Sequence, residues 1–187
     1  GANVINISAV GFENGDKDDI KQAVKHAYEK GVVVVAAAGN GNTYLNASPL
    51  YPICADLGSG GQMVLGVSAV TPDHHLTRFS NTGSNCIDIT APGIEVSSTV
   101  RFSPTNGLTQ RYKGGWSGTS FAAPLVSGAA ALIKSIQPSW GAKEIYITLL
   151  STVHHTGGQD EAVYADLFGN GLLQIDKAVK YAVDNIK

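Results

Sequence analysis

The chain has 187 residues, 43% hydrophobic and 15% charged, with a net charge of −2, enough apolar material for one core and too little chain for two domains of ordinary size. That balance gives no polybasic signature for nucleic acid or anionic membrane. No apolar run reaches the ~20 residues that span a bilayer, and no basic region followed by a signal core opens the chain.

Val4-Ile5-Asn6-Ile7-Ser8 is a short β-branched run and predicts an interior strand. Asp16 to Lys30 predicts an amphipathic helix, with Ile20, Val24, Ala27 and Tyr28 on one face, acids early, lysines late and Gly31 placed to end it. The valines from Val32 to Val35 then run without alternation into Ala36-Ala37-Ala38-Gly39-Asn40, the pattern of a parallel strand covered on both faces. Strand, helix and strand at this spacing form a βαβ unit. Open parallel sheets bind ligands at the carboxyl ends of their strands, where this sequence places Ser8 to Gly11 and Gly39-Asn40. Asn40 read alone is a turn residue following glycine. Beyond the polar loop Gly41 to Tyr51, Met63 to Val70 predicts a third strand, Cys86 to Pro92 a fourth, and Val96 to Tyr112 a β-ribbon.

The ribbon leads into Lys113-Gly114-Gly115-Trp116-Ser117-Gly118-Thr119-Ser120, and then into an alanine-rich apolar run long enough for about four helical turns. Ser120 falls in the first turn, where free N–H groups and the helix dipole favour developing negative charge, so it is a candidate nucleophile. The plainer reading makes Thr119 or Ser120 an N-cap, a role worth about 1 kcal/mol. Pro124 falls close to the helix start, where a missing amide proton matters little. Ser139 to Leu150 predicts a helix capped by Ser139. Gln174 to Ile186 predicts a last one that buries Ile175, Ala178, Val179, Ala182 and Val183. Two cysteines leave a disulfide, free thiols and bonds to partners all open. The adjacent pairs His74-His75 and His154-His155 lack metal-ligand spacing and read as solvated.

Gly118-Thr119-Ser120-Phe121-Ala122-Ala123-Pro124, with Gly128 four residues beyond the proline, resembles the nucleophile motif of the subtilisin-like serine proteases, the subtilases. Ala-Ala-Gly-Asn ending at Asn40, Phe79-Ser80-Asn81-Thr82-Gly83, Ala91-Pro92-Gly93 and Gly169-Asn170-Gly171 resemble further elements of that family. Most of the chain resembles the second half of its catalytic domain. The resemblance implies an α/β fold of three αβα layers around a mostly parallel sheet, with residues 1–187 as the C-terminal portion of one domain and the first strands contributed from upstream.

The same resemblance implies a serine endopeptidase with Ser120 as nucleophile and the Asn40 side chain as an oxyanion donor. Ser8, Ala9, Val10 and Gly11 would pair with an extended polypeptide substrate or propeptide. Ala37, Ala38 and Gly39, with the 41–51 loop, would wall a wide and largely uncharged pocket, and Thr119 would join the substrate-binding set. Val10 stands where subtilases have glycine, which implies a narrower cleft. The family's catalytic Asp and His precede the serine, and here no predicted strand ends in Asp-x-Gly and no His-Gly-x-His occurs. The resemblance therefore implies an N-terminal segment or fragment of the same protease as partner, an inactive isolated chain, and a secreted or cell-surface setting. It also implies a Cys54–Cys86 disulfide replacing or bracing a cation site, with Asp88 as the one residual ligand. No cofactor is expected in the chemistry; a structural calcium or other cation is the one addition it allows. The rival reading is a non-catalytic peptide-binding module, against which the presence of both Ser120 and Asn40 argues. An esterase using His154 or His155 is weaker, because the motif is not Gly-x-Ser-x-Gly.

Overall fold

The valine run forms β2 (Val33–Ala37), and its side chains divide by parity between two cores. Val33, Val35 and Ala37 enter one core, and Val34, Ala36 and Ala38 enter the other. A strand with no polar face is thus buried from both sides. The computed structural model describes residues 1–11, 17–56, 58, 61–155 and 167–186. The expected helix start at Asp16 lies outside them.

Four parallel strands stand in chain order: β1 (Val4–Ile7), β2, β3 (Leu65–Val70) and β4 (Ile89–Pro92). Their registers pair Val4 with Val33, Val35 with Leu65, and Val67 with Ile89. Helix α1 (Lys17–Glu29) covers one face through Val24, with Ile20, Ala27 and Tyr28 packed beside it. On the opposite face α2 (Thr119–Ile136) crosses all four strands. Alanines at 122, 123, 129 and 130 let α2 lie close to the sheet, and Val126 and Ile133 fill the space between. By length and composition α2 also passes for a membrane span; in this fold it is the central core helix. Among the described residues β1 pairs only with β2, so its outer edge has no neighbouring strand, while its Val4 and Ile7 pack against the two cores.

Helix α3 (Ala142–Ser151) is capped two residues later than expected, by Gly141. Glu144 reaches back to accept the Gly141 N–H at 2.9 Å. Ser139 belongs instead to the preceding turn, which the Trp140 N–H closes onto the Gln137 carbonyl. The buried Tyr146 hydroxyl fastens α3 to the sheet, accepting the Val34 N–H at 2.9 Å and donating toward the Met63 carbonyl at 2.9 Å.

Helix α4 (Ile175–Asp184) packs on α2 and α3 through Ala178 and Ala182. Ile175 and Val183, expected on its buried side, are 37% and 48% exposed. Contact through two alanines one turn apart makes a narrow stripe, and larger flanking residues turn outward. The ribbon is β5 (Val96–Thr99) with β6 (Tyr112–Trp116), antiparallel, and a short 3-10 turn at Pro104–Asn106 forms its tip. It continues four residues past Tyr112 and ends beside the glycine that starts α2.

Candidate active site

Gly118, not Thr119 or Ser120, is the N-cap of α2, and neither the Thr119 nor the Ser120 side chain caps the helix. Its φ of 145° favours glycine. The plainer reading of the hydroxyls as caps therefore does not hold. Of the first-turn amides, the Thr119 N–H donates to Asn40 Oδ1 at 2.9 Å and the Phe121 N–H donates to the Gly118 carbonyl. Among the described residues the Ser120 N–H has no acceptor, and it stands beside its own hydroxyl at the positive end of the helix.

Ser120 is half-buried, and its hydroxyl donates to the Ser8 carbonyl at 3.1 Å. In return the Ser8 hydroxyl donates to the Ser120 carbonyl at 2.9 Å. That second bond has a cause within the helix. Pro124 is the sixth residue of α2, beyond the turn where proline is harmless, and its missing N–H is the one that would have bonded the Ser120 carbonyl. Ser8, at the end of β1, supplies the donor instead. Asn6 Nδ2 donates to Ser8 Oγ at 3.0 Å, and Ser127 Oγ donates to Asn6 Oδ1 at 2.9 Å, so a polar chain links α2 to the edge strand.

Asn40 lies just past β2 and is exposed. Its Oδ1 accepts both the Thr119 N–H and the Thr119 hydroxyl, at 2.9 and 3.0 Å. A backbone N–H can only donate, which fixes the oxygen of the amide on that side and leaves the NH2 group outward, without a partner among the described residues. Thr119 itself is fully buried. Its Oγ also accepts the Gly39 N–H at 3.0 Å. Expected among the substrate-binding residues, it stands behind the site and orients Asn40. Ala37 and Ala38 are likewise buried, with side chains in the two cores.

Gly39 has a φ of 95°, and a Cβ there would lie 2.8 Å from a Val10 methyl and 2.6 Å from Asn81 Nδ2. Val10 thus fills the space that Gly39 leaves. Ala9 and Gly11 are exposed, and the Gly11 N–H donates to the Tyr51 carbonyl, tying the end of β1 to the 41–51 loop. Sequence reasoning assigned no role to Asn81. It is buried, donates to the Ala38 carbonyl at 2.8 Å and accepts the N–H groups of Gly41 and Thr43, bracing the segment that carries Asn40. Asparagine beyond a serine in a loop carries no local signal for that task.

No histidine or carboxylate is hydrogen-bonded to Ser120 among the described residues. His26 lies on α1, while His74 and His154 are exposed with rings 6.3 Å apart.

Cys54 and Cys86 form a disulfide. Two residues beyond each cysteine lie Asp56 and Asp88. Asp88 accepts the Gly66 N–H at 2.6 Å, and Asp56 accepts those of Met63 and Val64. Burial lifts the Asp88 carboxyl to about 8 against the Gly66 bond, with Asp56 adding to the rise. Burial also raises Asp56, against its amide bonds. As a cation site the set is thin: both carboxylates already accept amides, and the described residues hold no group of three or more His, Cys, Asp or Glu to close a cage.

A serine in the first turn of a buried helix, with its own N–H and an oriented amide beside it, has the layout that a serine nucleophile with oxyanion donors requires. The subtilase family model matches residues 1–171. The chain is 36% identical over 181 residues to subtilisin DY of Bacillus licheniformis, covering 96% of this chain and 58% of that protein. It is 34% identical over 161 residues to subtilisin Savinase of Lederbergia lenta, covering 86% and 51%. A solved protease of Pseudoalteromonas arctica superposes with a TM-score of 0.71 at 29% identity, over 97% of this chain and 51% of that one. The chain belongs to the subtilase family of subtilisin-like serine proteases. It spans about half the length of the relatives it matches.

Proposed function

We propose that this chain is the serine-bearing part of a subtilisin-like endopeptidase that cleaves peptide bonds through an acyl-enzyme on Ser120. The observation that carries the reading is the pinned Asn40 amide beside the first turn of α2. Its carbonyl side is held by Thr119, so its NH2 is aimed outward without reorganisation, as charge stabilisation in a transition state requires. Ser120 Oγ attacks the scissile carbonyl, its proton passes to a base, and the Ser120 N–H and Asn40 Nδ2 receive the oxyanion. The base and its orienting acid come from an upstream segment of the same protease. Its docking supplies a neighbour for the outer edge of β1, which has none among the described residues. Exposed backbone from Ser8 to Gly11 holds an extended substrate by strand addition, and Val10 narrows the cleft there. The Cys54–Cys86 bridge and the family favour a secreted or cell-surface protein.

Fluorophosphonate labelling with mass spectrometry tests this reading. Ser120 should react in the protein that carries the upstream segment, react far less in residues 1–187 alone, and not react after Ser120→Ala. Labelling of the short chain at the full rate would show that it holds its own base. No labelling in either form would favour the non-catalytic peptide-binding module.

A further inference from the structure

The β5–β6 ribbon carries a charge opposite to that of the chain. Between Val96 and Lys143 there is no aspartate or glutamate, although the whole sequence is net negative. Arg101, Arg111 and Lys113 are exposed on the ribbon, and none forms an ion pair among the described residues. Two of the three cations are held in place by rings. Arg111 lies 4.5 Å from the Phe102 ring centre and Lys113 lies 5.1 Å from that of Trp116. Beside them opens a groove of about 490 Å³, lined by Arg101 and Lys113 together with Val100, Leu108 and Trp116. Trp116 in turn stacks on Phe121 at 5.7 Å, and Phe121 adjoins Ser120.

The geometry points to this groove as a binding subsite for an acidic, extended segment of the polypeptide substrate, a few residues from the bond cut at Ser120. The inference rests on the protease reading and adds the substrate class. Cations already seated over aromatic rings lose less side-chain freedom on binding than free lysines and arginines do. The apolar lining takes the stems of glutamate side chains while the rim meets their carboxylates. A nucleic acid is a poorer fit, because the chain is net negative and offers three cations here.

The test uses the full-length protein with Ser120→Ala, so that the probe is not consumed, and three fluorescent ten-residue peptides that differ only in carrying four Glu, four Gln or four Lys. Polarisation should show the Glu peptide binding roughly tenfold more tightly than the Gln peptide at low salt, the advantage shrinking as salt rises. Arg101→Glu with Lys113→Glu should reverse the order in favour of the Lys peptide without moving the melting midpoint, since both side chains are exposed. Equal binding of all three peptides overturns the inference, as does an order that survives the double substitution. Binding of an oligothymidine or of phosphatidylserine vesicles in place of the Glu peptide overturns it too. Fluorophosphonate labelling of the unsubstituted protein separates the two readings. A labelled Ser120 with charge-blind peptide binding removes the groove alone. An unlabelled Ser120 with charge-selective binding removes the protease reading and leaves the ribbon as a site for acidic peptides.

Discussion

Ser8 and Pro124 form a compensating pair, because the hydroxyl of one supplies the hydrogen bond that the ring of the other withholds from the Ser120 carbonyl. Ser8→Ala should therefore destabilise the fold by about 1 kcal/mol, the usual worth of a hydrogen bond lost at a half-buried carbonyl. In a Pro124→Ala background the helix can make the bond itself, and the same substitution should cost much less. Urea melts of the four proteins read the coupling, and equal costs in both backgrounds would show that Ser8 acts elsewhere. Asn40→Ala should lower kcat of the assembled enzyme by roughly 10²–10³ with little change in KM, because the amide meets a charge that exists only in the transition state. A change confined to KM would make Asn40 a substrate contact. The positions of Ser120 and Asn40, at a glycine-rich entry to a helix and the end of a valine strand, were legible locally, whereas their proposed roles came from the family resemblance, since Asn40 read alone is a turn residue. Ser8, Thr119 and Asn81 were not legible as positioning residues. Their partners lie far along the chain, and nothing in the neighbouring residues encodes a bond from Thr119 to Gly39.

The elements themselves follow from local patterns more directly than the contacts between them. Unbroken valines gave β2 and its two cores, and the amphipathic spacing gave α1. Helix ends were less legible: the start of α3 depends on whether Glu144 reaches the Gly141 N–H, and the turn that retires Ser139 forms only because Trp140 bonds back to Gln137. The outward turn of Ile175 and Val183 depends on how closely α4 sits on its neighbours, which no single helix specifies. One covalent link joins the segment before β3 to the start of β4. Cys54 and Cys86 are 32 residues apart, so Cys54→Ser with Cys86→Ser should lower stability by about 3–4 kcal/mol through the freed loop. Melting with and without reductant checks this, and a reductant-insensitive midpoint would show that the bridge contributes little.

At the scale of the whole molecule, the buried Asp88 carboxyl makes stability depend on pH. Its folded value is raised from 3.8 to about 8. Between those limits the folded state holds a proton that the unfolded chain releases, so stability should fall as pH rises from about 4 to about 8 and then level off. Asp88→Asn should flatten that slope in urea melts at several pH values, and an unchanged slope would assign it to another group. The sheet raises a separate matter of timing. Because Pro124 leaves α2 one donor short, the peptide that holds Ser120 is completed only by a residue 112 positions earlier. A helix that formed first would still lack that bond until β1 reached it. Ser120 of a nascent chain is thus set in its final geometry late, once β1 has reached α2, so on the proposed reading its reactivity should lag behind helix formation.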